Sequence, residues 1–252
     1  MRSIKKPLCF VDLDDTLFQT ARKMPSDTQR WEASFTAEGK PSGFMSVAQY
    51  HFAHWLFQHA DVVPVTARSV EVLDRVRLPF SGPAVCSHGA VILGADKSFD
   101  EDWHRYMTDQ LAPFQSRLPE ISELTLSIGS ELQMSLRGWV VTERDMHAYV
   151  VTKHNGMDDQ VLTRINAVME QKGLLDGMYT HQNANNLAYL PQAVNKRVAV
   201  QELIRRDQEM NGERPILGFG DSLTDLGFMD LCHWWGTPSS SQIAGLVKEV
   251  AQ

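Results

Sequence analysis

Residues 8–16 read LCFVDLDDT and join a short apolar run to a cluster of acidic residues. Leu8–Val11 is a short, continuous apolar run, which is typical of a strand buried on both faces of a parallel sheet. Three aspartates follow, and two of them, Asp12 and Asp14, share one face of an extended chain. Ligands of open parallel sheets bind outside the carboxyl ends of the strands. The stretch therefore predicts an acidic ligand site at the end of a first buried strand.

The close spacing of these carboxylates indicates what such a site would bind. Two neighbouring carboxylates repel and raise each other's pKa unless a cation lies between them. Mg²⁺ suits an oxygen site of this kind and usually keeps waters and a substrate phosphate as further ligands. The alternative is a polar turn after the strand, in which Asp and Thr side chains cap backbone groups. The motif alone leaves both interpretations open.

A second acidic cluster, GFGDSLTD, spans residues 218–225. It follows the apolar pair Ile216 and Leu217 and precedes a helical pattern, so Asp221 and Asp225 also lie at the carboxyl end of a strand. Its glycines allow the backbone to approach a ligand closely. The alternative is an ordinary capped helix start. Two separate aspartate clusters at two strand ends favour a ligand site over coincidence.

Two smaller signals accompany the acidic clusters. Thr66 and Arg68 end a second apolar run and open a helix, where a hydroxyl and free N–H groups suit a phosphate. Lys196 stands in the first turn of a predicted helix, which is unfavourable for a cation because of the helix dipole. That position makes sense if the lysine neutralises a phosphate and a carboxylate.

The alternation of apolar runs with helical patterns along the chain predicts one α/β domain interrupted by an α+β insert at roughly 90–190. In the α/β part, further strands are predicted at 62–65, 83–86, 215–219 and near Trp234, and helices at 46–60, 69–77, 196–206, 225–231 and 241–250. In the insert, strands are predicted at 124–128, 133–136, 147–152 and 186–190, and a helix at 159–171. The polar segment 24–43 looks inserted and suggests a lid or a contact surface.

Composition excludes several classes of protein. The 252 residues carry a formal net charge of −7, which argues against a nucleic-acid binder with a broad basic face. Three scattered cysteines do not form a disulfide framework. No apolar run approaches the ~18 residues of a membrane span, and the start of the chain reads as a strand, not as a signal peptide. We therefore expect a cytoplasmic protein that binds neither nucleic acid nor membrane.

The four motifs, taken in order, resemble those of the haloacid dehalogenase (HAD) superfamily of aspartyl-phosphate-forming hydrolases. They are DLDDT (12–16), VTAR (65–68), Lys196 in NKRVAV, and GFGDSLTD (218–225). Asp15 stands where that family commonly has Gly, and His88 stands where it has Asn. The insert resembles the type-2 (C2B) cap of the branch that includes Cof-type, sucrose-phosphate and trehalose-phosphate phosphatases. The resemblance implies a Rossmann-like parallel-sheet core at 1–89 and 191–252, and a cap that selects the substrate at 90–190.

The resemblance also implies a role for each motif residue. Asp12 would be the nucleophile, and Asp14 the general acid and base. Mg²⁺ would be held by Asp12, the backbone carbonyl of Asp14 and Asp221, with Asp225 orienting its waters or Lys196. Thr66 and Lys196 would bind the transferring phosphoryl oxygens.

We expect a Mg²⁺-dependent phosphatase acting on a small phosphorylated metabolite, with sugar phosphates favoured. The candidate substrate-binding residues are those able to hold anionic or hydroxyl groups: Arg68, Arg137, Lys153, His181, Asn183, Asn185 and Asn186. A plain polar loop remains the alternative for 181–186. Two other functions stay open at this point, a phosphomutase of the same superfamily and a non-catalytic regulator that binds metal or phosphate. The sequence does not indicate the oligomeric state.

Overall fold

The computed structural model describes residues 4–154, 156, 160–183 and 185–250. Contacts divide the chain into two compact units, unit 1 at Met1–Asp100 with Asn195–Gln252, and unit 2 at Glu101–Val194. The limits predicted for the insert were 90 and 190, whereas the units meet at residues 100/101 and 194/195. The strand at 91–93 therefore belongs to unit 1.

The elements of unit 1 come from both ends of the chain. Its strands and helices before residue 100 are β1 (Leu8–Val11), β2 (Arg30–Phe35), β3 (Pro41–Ser46), α1 (Val47–His59), β4 (Asp61–Pro64), α2 (Val70–Leu73), β5 (Ala84–Cys86) and β6 (Val91–Leu93). Unit 2 contains α3 (Glu101–Leu111), α4 (Arg117–Glu131), β7 (Leu136–Glu143), β8 (Met146–His154), α5 (Gln160–Gln171), β9 (Met178–Asn183) and β10 (Asn186–Pro191). Unit 1 resumes with α6 (Lys196–Asn211), β11 (Ile216–Phe219), α7 (Leu226–Met229), β12 (Trp234–Gly236) and α8 (Gln242–Val250).

A four-stranded parallel sheet in the order β12-β11-β1-β4 forms the centre of unit 1. All four residues of β1 are buried, as its continuous apolar run predicts. Val11, the last residue of β1, pairs with Phe219 on one side and with Pro64 on the other. The carboxyl ends of three strands therefore meet at one edge of the sheet. The predicted α/β fold class with a parallel-sheet core is confirmed.

The segment 24–43 is a part of the body of unit 1. Its strands β2 and β3 form an antiparallel hairpin whose Ala33 and Met45 are buried in the core around β1. The backbone of Phe35 donates a hydrogen bond to the carbonyl of Arg75, and Arg77 donates one to Ala33. Because residues 75–77 pair with the hairpin, α2 ends at Leu73 and not at residue 77 as predicted.

Unit 2 is an antiparallel sheet in the order β7-β8-β10-β9. Helices α4 and α5 pack on one face of it, with Leu118, Leu162, Val150 and Leu187 among the buried residues that they share. The strand predicted at 147–152 lies within β8, and the strand predicted at 186–190 lies within β10. The helix predicted at 159–171 corresponds to α5, although residue 159 is outside the described residues.

The strand predicted at 124–128 is wrong, because this segment lies within α4. Its alternation of apolar and polar residues suits a strand, but the buried positions around it, Leu118, Ile121, Thr125 and Ile128, recur at helical spacing. The strand predicted at 133–136 is also misplaced. Gln133 has a positive φ of 56° and lies in the turn after α4, so β7 begins only at Leu136.

Among the residues that the structure describes, no helix is both long enough and apolar enough to cross a membrane.

Candidate active site

The sheet edge at which β1, β4 and β11 end carries the predicted catalytic residues of unit 1. The backbone of Asp12 donates a hydrogen bond of 2.8 Å to the carbonyl of Phe219, the last residue of β11. The backbone of Thr66 donates one of 2.9 Å to Val85 in β5, which sets Thr66 just beyond β4. Asp12, Thr66, Lys196, Asp221 and Asp225 are all buried. The buried polar groups thus gather where a parallel sheet binds its ligands.

Lys196 is the cation at the centre of this group. Its Nζ lies 2.7 Å from Oδ1 of Asp12 and 2.7 Å from Oδ1 of Asp225. Burial by itself would lower the pKa of Lys196, but the two carboxylates outweigh burial and raise that pKa above its usual value. Lys196 is the first residue of α6, after Asn195, whose Oδ1 accepts a hydrogen bond from Arg197 N. Its unfavourable place in the first turn is offset by these two charge-assisted hydrogen bonds.

Asp225 is held on both carboxylate oxygens. Oδ1 accepts from Lys196, and Oδ2 accepts from the backbone N of Ser222 at 3.0 Å, from Ser222 Oγ at 2.7 Å and from Asp221 N at 3.2 Å. Burial raises the pKa of Asp225, but Lys196 and Ser222 outweigh it and hold that pKa below its usual value. Asp225 therefore positions Lys196 and the turn that carries Asp221. Ser222, for which the motif predicted no role beyond an ordinary helix start, thus also binds this carboxylate.

Asp12 and Asp221 keep carboxylate oxygens without a donor. Oxygens of Asp12, Asp221 and Asp225 lie within 4.8 Å of one another. Within the described part of the chain, no group donates a hydrogen bond to the Asp221 carboxylate or to Oδ2 of Asp12. Burial, together with Asp225 and Asp15, raises the pKa of Asp221 to about 7. Burial also raises the pKa of Asp12, with Lys196 opposing the change. Buried carboxylate oxygens that no donor binds, Oδ2 of Asp12 and both oxygens of Asp221, fit a divalent cation with oxygen ligands.

Asp14 differs from the other aspartates in its surroundings. Its side chain is half exposed, and both of its oxygens are bound by Arg68, at 2.7 Å from Nε and 2.8 Å from Nη2. The backbone N of Arg68 also donates to Thr66 Oγ1 at 3.1 Å. Burial would lower the pKa of Arg68, but Asp14 outweighs burial and raises it. Arg68, predicted to bind substrate, thus pairs with the predicted general acid, and the Asp14 carboxylate is not among the clustered oxygens.

Two of the residues that depart from the resembled motifs adopt backbone conformations that glycine or asparagine favours. Asp15 has a φ of 64°, and His88 has a φ of 56°. The left-handed region costs most residues about 1 kcal/mol or more, and Gly, Asn and Asp are the residues that visit it most readily. The Asp15 carboxylate also pairs with Lys23 at 2.6 Å. The chain therefore adopts the left-handed backbone conformation at Asp15 and His88 without the Gly and Asn that the resembled motifs commonly have there.

Gly89 sets the start of α6 and so the position of Lys196. It has a φ of 101°, and a Cβ built there would lie 2.4 Å from the backbone oxygen of Asn195 and 3.0 Å from the backbone nitrogen of Lys196. No side chain fits such an approach unless the backbone moves. We expect Gly89→Ala to lower the free energy of unfolding by about 3 kcal/mol, measured by urea unfolding, because it combines a strained φ with overpacking.

The matched control for this substitution is Gly39→Ala. Gly39 also has a positive φ, 76°, but no atom lies within 4 Å of its Cβ position. The control should therefore cost only about 1 kcal/mol, which is the backbone penalty alone. Equal losses in the two variants would contradict the assigned contact between Gly89 and the first residues of α6.

The raised pKa of Asp221 predicts a pH-dependent stability of the metal-free protein. The ordinary pKa of this carboxyl is 3.8 and its folded value is about 7, so between these values the folded state binds more protons than the unfolded state. Stability therefore falls as the pH rises from about 4 to about 7, by up to about 4 kcal/mol for this group. We expect Asp221→Asn to remove about 2–3 kcal/mol of this fall, the part that lies between pH 5 and pH 8, measured by urea unfolding in EDTA.

Asp27→Asn, a change at an exposed residue of the same unit, serves as the control and should leave the pH dependence as in the wild type. Wild type and Asp221→Asn curves that run parallel from pH 5 to 8 would show that Asp221 does not take up a proton in the folded state.

The substrate-binding candidates of unit 2 lie at one end of its sheet. Arg137 in β7 is opposite Lys153 in β8, and Lys153 is opposite Asn186 in β10. His181 in β9 is opposite Ala188, which lies two residues along β10 from Asn186. Asn183 is the last residue of β9, and its side chain lies outside what the structure describes. Asn185 Nδ2 donates to the carbonyl of His154 at 3.2 Å, so the Asn185 side chain binds the backbone at the end of β8.

Comparisons with known proteins show similarity in structure only. No described protein family and no curated protein matches the sequence. The fold matches a solved trehalose-6-phosphate phosphatase related protein with a TM-score of 0.54 and 18% identity, covering 97% of this chain and 98% of that one. It matches the sucrose-phosphatase of Synechocystis with a TM-score of 0.53 and 15% identity, covering 98% of both chains. It also matches the C-terminal domain of C. albicans trehalose-6-phosphate phosphatase, with a TM-score of 0.60, 14% identity and coverages of 89% and 73%.

The chain therefore shares the fold of these solved phosphatase structures. The resemblance inferred from the four motifs is confirmed for the fold.

Proposed function

We propose that this protein is a Mg²⁺-dependent phosphatase that hydrolyses a small phosphorylated metabolite through an aspartyl-phosphate. One observation carries the proposal. Lys196 bridges the buried Asp12 and Asp225 at 2.7 Å each, while Oδ2 of Asp12 and the Asp221 carboxylate face no donor among the described residues. Such an arrangement leaves one oxygen of Asp12 available for attack on phosphorus, and its free carboxylate oxygens would hold Mg²⁺ beside the nucleophile.

The nucleophile is Oδ2 of Asp12 in this mechanism. It attacks phosphorus in line, an O–P bond forms to Asp12, and the bond between phosphorus and the leaving oxygen breaks. Lys196 and the Thr66 hydroxyl hold the transferring phosphoryl oxygens. The Oγ1 atom of Thr66 already accepts from the Arg68 backbone, so its own proton remains to be donated. Asp225 keeps Lys196 in place.

Asp14 moves the protons. It donates one to the leaving oxygen, and it then takes one from the water that attacks the aspartyl-phosphate and frees Asp12. Both oxygens of Asp14 accept from the Arg68 guanidinium, so Asp14 has to release at least one of these hydrogen bonds before it acts as an acid. In this reaction Arg68 is a positioning residue for Asp14, and it is not a direct contact of the phosphoryl group.

Mg²⁺ would be held by Asp12 and Asp221, with the Asp14 carbonyl as the third protein ligand that the resemblance implies. When bound, it neutralises charge on the phosphoryl oxygens and lowers the repulsion between the anionic nucleophile and the anionic substrate. The fit is supported by Oδ2 of Asp12 and the Asp221 carboxylate, which no donor binds among the described residues, and by the raised pKa of Asp221.

A sugar phosphate is the favoured substrate class. The structures with the same fold include a sucrose-phosphatase and trehalose-6-phosphate phosphatases, and unit 2 carries cationic and amide side chains suited to hydroxyl and anionic groups. We place the enzyme in the cytoplasm because its cysteines are free thiols, and we expect no nucleic-acid or membrane partner.

The deciding assay is hydrolysis of a generic aryl phosphate with Mg²⁺ and with EDTA. We expect phosphate release only with Mg²⁺, and a rise in Tm of about 5–10 °C when Mg²⁺ is about 100 times its Kd. Phosphate that stays on the protein after one turnover would indicate a mutase. Neither hydrolysis nor a change in Tm would overturn the proposal and favour a non-catalytic regulator.

A further inference from the structure

The hairpin of β2 and β3 reaches the pair formed by Asp14 and Arg68, although the mechanism above gives the hairpin no role. Ser34 of β2 is fully buried. Its Oγ atom accepts a hydrogen bond of 3.4 Å from Nη2 of Arg68, and the same nitrogen donates to Oδ1 of Asp14 at 2.8 Å. An Nη2 group carries two protons, so it can donate one to each oxygen. Ser34 is thus a partner of the Arg68 guanidinium in addition to Asp14.

The ring of Phe18 also contacts this guanidinium. Cζ of Arg68 lies 5.0 Å from the ring centre, which is a cation–π contact. Phe18 is fully buried, and a Cβ built at Gly43 would lie 2.8 Å from Phe18 Cδ2 and closer still to Ser34 Oγ. Both side chains therefore pack against the backbone of β3 and cannot withdraw in that direction. They give the guanidinium one polar and one aromatic contact that are fixed in position.

The hairpin is itself tied to its surroundings. Gln19 and Phe44 exchange two backbone hydrogen bonds of 2.9 and 2.8 Å, which join β3 to the turn that follows the first strand. The other strand, β2, is bonded to residues 75–77, as described above. Ser34 Oγ lies 3.2 Å from Ser42 Oγ, so its own proton can be donated within the hairpin while it accepts from the guanidinium. The hydroxyl is therefore held in place from several sides.

Asp14, in contrast, has to move in the proposed reaction. Its side chain is 51% exposed, whereas that of Arg68 is 16% exposed. Unless an arginine is held, its long side chain follows a carboxylate that turns away and stays bound to it. A carboxylate that keeps both guanidinium hydrogen bonds is a poor proton donor. The fixed contacts of Arg68 with Ser34 and Phe18 oppose such a movement.

We propose that Ser34 is a positioning residue that keeps Arg68 in place when Asp14 turns to the leaving oxygen or to the attacking water. The inference rests on the proposed phosphatase function and gives the hairpin a part in it. Without the Ser34 hydroxyl, Arg68 moves with Asp14, and both proton transfers become slower. Formation of the aspartyl-phosphate is unaffected when the leaving group needs no proton.

The test compares Ser34→Ala with the wild type on two substrates. One is p-nitrophenyl phosphate, whose leaving group needs little protonation, and the other is glycerol 2-phosphate, whose alkoxide leaving group must be protonated. We expect kcat/KM for glycerol 2-phosphate to fall about fivefold to tenfold and kcat/KM for p-nitrophenyl phosphate to stay within about twofold. The second value reports only the steps up to the aspartyl-phosphate, for which Asp14 is not needed as an acid.

Thr36→Ala is the matched control, because it removes a hydroxyl that accepts from Lys40 N at 3.3 Å in the turn of the same hairpin. It should leave both kcat/KM values within about twofold. A loss of folded protein in Ser34→Ala would lower both values by one factor, so an unchanged ratio of the two contradicts the positioning role. If the wild type releases no phosphate from either substrate, the phosphatase proposal itself fails.

A second measurement needs no turnover. The side-chain Nε–H signal of Arg68 in ¹⁵N-labelled protein, assigned by its loss in Arg68→Lys, reports whether the guanidinium is held. We expect this proton to exchange with water at least about fivefold faster in Asp14→Ala with Ser34→Ala than in Asp14→Ala alone, where the Ser34 contact remains. Equal exchange in the two variants would overturn the role of Ser34, whatever the result for the phosphatase.

Discussion

We expect Asp12→Asn to lower kcat for aryl phosphate hydrolysis at least about 10⁴-fold. The amide has the shape of the carboxylate but lacks the charge and the lone-pair reactivity needed to attack phosphorus. The substitution also removes one carboxylate of the buried acidic cluster formed by Asp12, Asp221 and Asp225. The measurement is initial phosphate release at saturating Mg²⁺, with mass spectrometry of quenched samples to detect the aspartyl-phosphate in the wild type.

The same assay separates the role of Asp12 from that of Asp14. An aryl leaving group needs little protonation, so Asp14→Asn should still form the aspartyl-phosphate, but its hydrolysis should be slow because the general base is lost. Asp74→Asn, an exposed carboxylate of the same unit, should remain within twofold of the wild type. Substantial turnover by Asp12→Asn would remove Asp12 as the nucleophile, whatever the result for Asp14.

Lys196→Met should destabilise the protein by about 3–5 kcal/mol at pH 7 in EDTA. The substitution removes the only cation bound to Asp12 and Asp225 in the described structure, whose side chains are 8% and 0% exposed. Two buried carboxylates without a counterion must take up protons or unfold the site. The measurement is urea unfolding with and without Mg²⁺. Phosphate release should fall together with stability because Lys196 also holds phosphoryl oxygens.

The pH and metal dependence of this variant distinguishes charge from lost packing. Its deficit should shrink towards pH 5, where the carboxyls become protonated, and Mg²⁺ should recover part of it. Lys40→Met, at an exposed lysine of the hairpin, should change stability by less than about 0.5 kcal/mol. A deficit that is equal at pH 5 and pH 8 would show that Lys196 contributes by packing and not by charge.

Much of the core could be predicted from the sequence because its signals are local. The apolar run Leu8–Val11 and the apolar residues before Gly218 indicate buried strands wherever the rest of the chain goes, and both are strands of the central sheet. The segment 124–128 shows the limit of such reasoning. Its alternation fits a strand over five residues, but burial over the fifteen residues of α4 follows the helical period.

The pairing of charges could not be predicted from spacing. Asp14 was predicted to transfer protons and Arg68 to bind substrate. The two residues are 54 positions apart, yet their side chains bind each other. Gly89 carried no signal beyond its place in a turn, because the need for a glycine there arises from the backbone of Asn195. The juxtaposition of Arg137, Lys153 and Asn186 depends on strand register, which places these residues of β7, β8 and β10 opposite one another.

The ends of the buried core strands, and the acidic and basic residues that follow them, could be predicted from short segments, because the period of burial and the spacing of motifs are local properties. Which of these charged side chains come into contact depends on the tertiary structure. Lys196 and Asp12 are 184 residues apart, and the raised pKa of Asp221 exists only once burial removes water from its carboxyl. Electrostatic energies depend on distance and on the surrounding dielectric, and folding sets both.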